Sequence, residues 1–536
     1  GNCDCVSKTF ANCFEFCVVR AFVTKYCVAY KMLSNIQTFY KDKTIFVTGG
    51  SGFLGKVIIE KLLRCTEVKR IYVLIRPKRG QDVQERIAAW KDNAMFSLLH
   101  KTNAQCLERI VSIAGDCQEQ DLGISEADRQ LLAAEVQVVL HSAATVRFCE
   151  PLHQALDINT RATQLLLQLA KQMKQLLAFV HVSTAFSNCV IDHIDERYYP
   201  EHLVFSYDKV LLLRKQLSEE MLDSMTSSLL GKFPNTYTYT KALAEQVLQQ
   251  EAGDLPLCIF RPGVIVGSYK EPVAGWIDNL YGPIAILYGA AFGILRVTRL
   301  NVNAAANIVP VDFCGNMVLA SAWQTAVQQA ERKQSAESAQ QQQPPIYNYV
   351  PSNRNELSWG GFRDKAQLLA NTYPLSQAMW LPFLHCTTTA WLFKFLAFFY
   401  HLLPGYAIDL VLWLRGQQPR MIRLYDKIHK NIELLVPFTN TSWKFGTHNT
   451  QRLWQCMSTQ DKELFEFDMS TLDWDDYFQL ALGGMRIYLA KEDPSPATLQ
   501  RAQRLRARYY VLHRLLQFAV CSCGIALLWS LSKLLI

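Results

Sequence analysis

One stretch near the amino terminus, residues 44–55, constrains the fold more than any other part of the chain. It reads TIFVTGGSGFLG, and an apolar, periodic run over residues 57–63 follows at once. This order predicts a strand, a tight turn and a helix, the context of a dinucleotide-binding site. Gly49 would turn the chain off the strand, Gly52 would let the backbone approach a pyrophosphate, and Gly55 would let the helix pack closely. The helix N-terminus would then offer free N–H groups to phosphates, although glycines also form ordinary turns.

The residues after the second predicted strand, 70–75, indicate which dinucleotide binds. An NAD-preferring site usually has an acidic residue about twenty residues past the glycines, where it binds the ribose hydroxyl. This chain has Arg76 there, with Lys78 and Arg79 close by. Cations suit a 2′-phosphate, so we expect NADPH as the cofactor and Arg76 as a phosphate ligand. The alternative, solvated loop charges, applies most to Lys78 and Arg79.

Short apolar strands alternate with helical patterns through the first half of the chain. Further predicted strands cover residues 110–116, 136–144, 177–184 and 258–263, and predicted helices cover 159–173 and 241–251. This alternation predicts an α/β fold with a doubly wound, Rossmann-type parallel sheet. Beyond about residue 270 the alternation fades, and the glutamine-rich residues 335–345 predict an exposed loop or insert.

Composition limits the partners. Half of the 536 residues are hydrophobic, 19% are charged, and the formal net charge is +8. No long Lys/Arg run accounts for this charge, so we expect no nucleic acid partner, and an apolar, basic chain fits a membrane surface better. The 16 cysteines have no zinc-site spacing, so we expect no metal. Most are interpreted as buried thiols in a reducing compartment. The cluster in residues 1–36 is of unknown purpose, with membrane association as its one interpretation.

Two apolar segments predict contact with a membrane. Residues 515–536 contain one charge, Lys533, and follow a stretch with five arginines. A helix over these residues is about 33 Å long, enough to cross a bilayer, and its basic flank predicts that the rest of the chain lies in the cytosol. Burial of this helix against the protein is the alternative. Residues 379–414, interrupted by Lys394 and Pro404, predict a membrane-dipping hairpin, an apolar substrate wall or a buried helix.

A tyrosine and a lysine form the second strong motif. Tyr237 and Lys241 are four residues apart, so they share one face of a helix. A nearby ammonium lowers a tyrosine pKa, and we therefore expect Tyr237 to donate a proton to a carbonyl oxygen during hydride transfer. Tyr239 lies on another face and is more consistent with a structural role. A third group for the developing oxyanion is expected where strand 177–184 ends, and the sequence alone does not choose between Ser183 and Thr184.

In combination these motifs resemble the extended short-chain dehydrogenase/reductases, and within that superfamily the fatty acyl-CoA reductases. The resemblance covers about residues 38–485 and is highly specific in combination. The matching segments are 48–55, 141–148, 181–185, 234–245, 261–263, 270–279 and 309–312, with 419–430 and 438–443 resembling the family's carboxyl-terminal male-sterility domain.

The resemblance implies reduction of a long-chain fatty acyl-CoA to a primary alcohol, with two NADPH and an aldehyde intermediate. It implies that Tyr237 is the proton donor, Lys241 its partner, and Thr184, ahead of Ser183, the third catalytic group. The implied cofactor-binding residues are Thr48, Gly49, Gly52, Phe53, Leu54, Gly55, Arg76, Asp116, Ala143, Ala144, Lys241, Pro262 and Gly263.

The resulting division of the chain combines these signals. We expect an extension over 1–36, an NADP-binding reductase domain over 37–375 with its substrate part at about 270–375, and a male-sterility-like helical domain over 376–485. A basic linker over 486–514 would lead to a transmembrane anchor over 515–536. A tail anchor of this kind fits the endoplasmic reticulum or the peroxisome. The oligomeric state is left open.

Two other functions share part of this pattern. A sterol or sugar-nucleotide dehydrogenase or epimerase would have the glycine and Tyr/Lys motifs, but would lack the segment 276–279 and the carboxyl-terminal domain. A non-catalytic NADP-binding scaffold at a membrane would have no need for the Tyr237/Lys241 pair.

Overall fold

The computed structural model describes residues 34–77, 83–334, 343–351 and 355–535. The amino-terminal cysteines, Lys78, Arg79 and most of the glutamine-rich insert therefore lie outside the described residues.

Thirteen short strands occur in the described part of the chain. They are β1 (Thr44–Thr48), β2 (Arg70–Ile75), β3 (Ile110–Ala114), β4 (Val138–His141), β5 (Ala178–Val182), β6 (His193–Ile194), β7 (Leu257–Pro262), β8 (Val264–Val266), β9 (Val297–Arg299), β10 (Ile308–Pro310), β11 (Ile346–Tyr349), β12 (His385–Thr387) and β13 (Lys444–Phe445).

The helices of the first half surround these strands. They are α1 (Asn35–Tyr40), α2 (Phe53–Cys65), α3 (Val83–Lys91), α4 (Ser97–Thr102), α5 (Glu126–Glu135), α6 (Leu152–Ala155), α7 (Ala162–Ala170), α8 (Tyr207–Gln216), α9 (Glu219–Ser224), α10 (Thr226–Leu230) and α11 (Thr236–Glu251).

The second half of the chain is mainly helical. Its helices are α12 (Gly282–Ala291), α13 (Val311–Gln334), α14 (Trp359–Ala370), α15 (Ala390–Ala397), α16 (Leu403–Leu414), α17 (Met421–Asn440), α18 (His448–Cys456), α19 (Thr459–Leu464), α20 (Trp474–Gly484) and α21 (Pro496–Leu535).

Seven of the strands form one parallel sheet in the order β11-β7-β5-β4-β1-β2-β3, which confirms the predicted doubly wound fold. The order reverses between β1 and β4, where Thr48 lies opposite His141. In such sheets a crevice opens beyond the carboxyl ends of the strands at the reversal. Strand β11 was not predicted, because this four-residue strand follows the insert and is defined by its pairing with β7.

Alternate residues of each strand enter two separate cores. Ile45 and Val47 belong to the core that contains Ile58 of α2, whereas Phe46 belongs to the core that contains Leu243 of α11. Both faces of the sheet are therefore covered by helices, which explains why its strands read as continuous apolar runs.

The carboxyl-terminal helices pack on this body through a contact between two glycines. Gly275 has a φ of +71°, and a Cβ added at Gly484 in α20 would lie 1.8 Å from the Gly275 carbonyl oxygen. Any side chain at Gly484 would push α20 away from the loop that contains Gly275.

Within the described residues, two helices are long and apolar enough to cross a membrane, Ala390–Leu414 and Pro496–Ser530. The basic residues before position 515 and the apolar residues after it belong to one continuous helix, α21.

The glycine contact generates a stability prediction. Gly484→Ala should destabilise the protein by about 1–3 kcal/mol, because overpacking forces the helix to shift, and should lower the thermal unfolding midpoint of the detergent-purified chain. The matched control is Gly483→Ala, where an added Cβ has no atom within 4 Å and should stabilise the helix by about 0.5–1 kcal/mol. Equal midpoints for the two variants would contradict this account of α20.

Candidate active site

The glycine-rich turn lies at the carboxyl end of β1. Gly49 has a φ of +72°, and a Cβ there would lie 2.7 Å from the Ala143 nitrogen, while a Cβ at Gly55 would lie 2.2 Å from the Gly49 oxygen. Gly52 is the N-cap of α2 and has no side chain to cover the first turn. The free N–H groups of that turn, which includes Phe53 and Leu54, fit the phosphates of a dinucleotide.

The neighbouring strand end lies against this turn. The Thr48 hydroxyl is 2.7 Å from His141 Nδ1 and accepts a hydrogen bond from the Ala143 N–H at 3.3 Å. Residues 143 and 144, which the resemblance implies as cofactor-binding, therefore lie at the mouth of the β1–β4 crevice.

The tyrosine and lysine occupy the first two turns of α11. Asn235 caps this helix by accepting a hydrogen bond from the Thr238 N–H at 2.9 Å, which fixes where its first turn begins. The Lys241 ammonium, one turn after Tyr237, donates a hydrogen bond to the carbonyl of Val182, the last residue of β5, at 2.7 Å. Tyr237 shares a hydrogen bond with Thr184. The end of β5 thus brings together the three residues implied as catalytic.

Burial shifts the pKa values of this pair in opposite directions. It raises the pKa of Tyr237 to about 12, although the hydrogen bond with Thr184 lowers it in part. It lowers the pKa of Lys241 to about 8, against the opposing charges of Glu245 and Cys117. The expectation that a neighbouring ammonium lowers the Tyr237 pKa is therefore wrong for this structure, because desolvation by burial has the largest effect on this phenol and raises its pKa. A phenol with a raised pKa stays protonated at neutral pH and remains a proton donor.

Ser183 has a different set of contacts from Thr184. Its hydroxyl donates a hydrogen bond of 2.5 Å to Glu245, and Glu245 forms a buried ion pair with Arg261 at 2.5 Å. Arg261 also donates to the carbonyl of Asp195 at 3.1 Å. Ser183 therefore anchors the end of β5 to α11 and β7. Its hydroxyl is hydrogen-bonded to Glu245 and not to Tyr237.

The residues expected near the adenosine half of a dinucleotide lie at the ends of β2 and β3. Arg76 is 63% exposed, and its Nε is 3.8 Å from a carboxylate oxygen of Asp116. On the other side of the crevice, a Cβ at Gly263 would lie 2.4 Å from the Asn307 oxygen, so the chain after Pro262 has room only for glycine.

Asn159 was missed as a site residue. It lies on a π-helical turn, Leu156–Arg161, and its side-chain amide donates to the Thr145 carbonyl at 3.2 Å and to the Thr240 hydroxyl at 3.0 Å. It thus connects the loop after β4 to α11, the helix that carries Tyr237 and Lys241. The predicted helix over 159–173 contained this residue, but the sequence has no pattern from which a π turn could be predicted.

An aromatic wall beside Tyr237 was also missed. The ring of Phe148 lies 5.9 Å from that of Tyr237 and 5.0 Å from that of Phe438 in α17. Phe186 packs against Trp443 at 5.3 Å. Phe438 and Trp443 lie in the segment 438–443, which resembles the family's carboxyl-terminal domain. No neighbouring residue indicates that Phe438 packs close to a tyrosine two hundred residues earlier in the chain.

Comparison with known proteins agrees with this geometry. Two family models, each described as male sterility protein, match residues 47–318 and 400–492. Among solved structures, the terminal R domain of the myxalamid PKS-NRPS pathway has a TM-score of 0.52 at 18% identity, covering 85% of this chain and 92% of that one. The reductase domain of a nonribosomal peptide synthetase from Mycobacterium tuberculosis has a TM-score of 0.53 at 16% identity, with 85% and 95% covered. These two support the fold.

Curated relatives are much more similar in sequence. The fatty acyl-CoA reductase wat of Drosophila melanogaster is 42% identical over 479 residues, covering 89% of this chain and 90% of the relative. Fatty acyl-CoA reductase 2 of Bos taurus is 36% identical, with 90% and 92% covered, and fatty acyl-CoA reductase 1 of Homo sapiens is 35% identical, with 92% and 94% covered. The resemblance found in the sequence is thereby confirmed: the chain belongs to the fatty acyl-CoA reductases and is an oxidoreductase with a fold that binds nicotinamide dinucleotides.

Proposed function

We propose that this protein reduces long-chain fatty acyl-CoA to a primary fatty alcohol, with two NADPH and an aldehyde intermediate. The observation that carries the proposal is the cluster of three side chains at the end of β5. Thr184 lies beside Tyr237, and Lys241 follows Tyr237 by one helical turn, in a chain that belongs to this family. The bound dinucleotide would supply hydride to the carbonyl carbon.

The side chains would handle the oxygen and the proton. Tyr237 and Thr184 would both donate hydrogen bonds to the thioester oxygen as negative charge develops on it. Transfer of the Tyr237 proton would give a hemithioacetal, which loses the CoA thiol and leaves an aldehyde. A second reduction, with a second proton from the reprotonated Tyr237, would give the alcohol. Lys241 would position the nicotinamide ribose.

An apolar groove supports a long-chain substrate. It lies between α12 and α14, with Leu287, Phe362, Phe383 and Leu482 among its lining residues. Ligand sites are typically lined by apolar side chains such as these. The groove also includes Leu300, whose neighbour Asn301 donates to the Thr439 carbonyl, next to the aromatic wall.

We also propose that α21 anchors the protein in a membrane with its reductase body in the cytosol. The support is its exposed apolar stretch, residues 515–530, with large side chains such as Leu515, Phe518 and Trp529 free of the body. The arginines that precede it favour the cytosolic side. Such an anchor suits the endoplasmic reticulum or the peroxisome.

The proposal is tested by mixing the detergent-purified chain with NADPH and palmitoyl-CoA and measuring hexadecanol and oxidised cofactor. We expect two NADPH per alcohol. Tyr237→Phe should lower the rate by about 10²–10⁴-fold while NADPH binding is kept. The matched control is Tyr239→Phe, since the buried Tyr239 hydroxyl has no hydrogen-bond partner in the described part of the chain; it should stay active. Undiminished alcohol formation by Tyr237→Phe would exclude this tyrosine as the acid.

Cofactor choice is tested at Arg76. Arg76→Ala should weaken NADPH binding by roughly 10–100-fold, since a hydrogen bond to a charged group contributes about 1.5–3 kcal/mol, and should leave NADH binding nearly unchanged. Lys174→Ala, an exposed cation in the turn before β5, serves as control and should change neither affinity. Equal losses for the two dinucleotides would remove the 2′-phosphate assignment.

Lys241 should set the alkaline side of the pH profile. Its ammonium loses its proton as the pH rises through about 8, and a neutral amine is a weaker donor, so kcat/KM should fall above that pH. Tyr237, with a pKa of about 12, titrates far above this range. In Lys241→Arg, residual activity should lose this alkaline limb, because a guanidinium does not titrate there. An unchanged limb in that variant would assign it to another group.

A further inference from the structure

One side of the helix that runs from Ala390 to Leu414 is held against the body between Phe393 and Asp409. The buried residues are spaced by four: Phe393, Ala397, His401, Gly405 and Asp409. In a regular α-helix such a stripe drifts by about 40° per step. The π turn in the middle of this helix, Phe398–Leu402, is wider and takes up part of the drift. The same side of this helix therefore faces the body from Phe393 to Asp409.

Polar contacts fix this helix in place. His401 Nε2 accepts a hydrogen bond from the Arg296 N–H at 3.0 Å, and the Asp409 carboxylate accepts one from the Ile422 N–H at 3.0 Å, in the first turn of α17. Between them, a Cβ at Gly405 would lie 3.1 Å from the Ile422 side chain. A segment hydrogen-bonded to the body at its centre and near its carboxyl end is not surrounded by lipid, as an isolated span would be.

The opposite side of the helix is apolar and uncovered. Its large side chains, each more than half exposed, are Trp391, Phe395, Leu403, Tyr406, Leu410, Trp413 and Leu414. A contiguous exposed apolar surface of this kind marks a site of interaction with a protein or a membrane. Lys394 and Arg415 stand near its two ends, where their long side chains can reach lipid headgroups.

This surface is continuous with the proposed anchor. The ring of Phe383 lies 5.4 Å from that of Tyr400, on the helix in question, and 5.4 Å from that of His513 in α21. Trp380 donates a hydrogen bond to His513 at 3.3 Å. The exposed apolar part of α21 begins at Leu515, two residues after His513, so both apolar elements leave the body at one corner of the molecule.

We propose that the Ala390–Leu414 helix lies in the plane of the bilayer surface, with its exposed side among the lipid headgroups and upper acyl chains, as a second membrane attachment beside α21. The expected depth is about 5–10 Å, as for other in-plane helices. This inference rests on the proposed membrane association and is independent of the proposed reaction.

The first test determines on which side of the membrane the two ends of the helix lie. Thr388→Cys and Gln418→Cys place a thiol at an exposed position before and after it. The full chain is reconstituted in sealed phosphatidylcholine vesicles with the body outward and treated with a membrane-impermeant maleimide, and each site is read by mass spectrometry. The native, exposed Cys456 reports the body. Both new sites should label to within twofold of Cys456. Protection of one end only would establish a span and overturn the inference.

The second test measures depth by fluorescence quenching with brominated phospholipids. Trp391 and Trp413 lie on the exposed side of the helix, whereas Trp529 lies in α21. Trp391→Leu with Trp413→Leu keeps the side apolar and should remove at least half of the quenching by shallow bromines, while deep quenching from Trp529 remains. Trp323→Phe, in the core next to the sheet, is the control and should change neither signal.

The outcomes separate the two proposals. Unchanged shallow quenching in the double variant, with deep quenching present, would show that another protein copy or partner covers this side, and would overturn the in-plane attachment alone. Absence of quenching by deep bromines in the unmutated chain would overturn the membrane association itself.

Discussion

The hydrogen bond from the Lys241 ammonium to the Val182 carbonyl is the interaction on which the site depends. A buried ammonium is costly unless it is paired and hydrogen-bonded, and here the last carbonyl of β5 and the charge of Glu245 stabilise it. The position of Lys241 therefore follows from where β5 ends. Because Tyr237 precedes it by one helical turn, the same contact fixes the phenol beside Thr184, at the sheet edge that also carries the glycine-rich turn.

The carboxyl-terminal helical part forms one wall of this site. Phe438 packs against Phe148, whose ring contacts Tyr237, and Trp443 packs behind Phe438. The Glu196 carboxylate accepts a hydrogen bond from the Asn449 N–H at 2.6 Å, which holds the two halves together. In the proposed reaction an aromatic surface beside Tyr237 would exclude water and so strengthen the hydrogen bonds made to the substrate oxygen. The same region carries the helices proposed to meet the membrane, so one structural unit would serve both the proposed active site and the proposed approach of lipid.

The sequence predicted the parts that depend on local pattern. The glycine-rich turn, the strand at 70–75 and the sharing of a helix face by Tyr237 and Lys241 were predicted correctly, because each follows from a few neighbouring residues. Strand β11 was missed because pairing with β7 defines it. The direction of the Tyr237 pKa shift was predicted wrongly, because the degree of burial depends on residues far away in the chain.

The sequence by itself thus determined a doubly wound parallel sheet, a dinucleotide turn and a tyrosine–lysine pair, since periodicity and glycine placement act over one or two turns of chain. Only the tertiary structure separated the contacts of Ser183 from those of Thr184. It also revealed that the apolar helix after residue 390 has one side locked to the body. The reason is that both features depend on partners from distant parts of the chain. The backbone direction at the end of β5 decides which partner each hydroxyl contacts, and the buried stripe of the apolar helix exists only where the body packs against it.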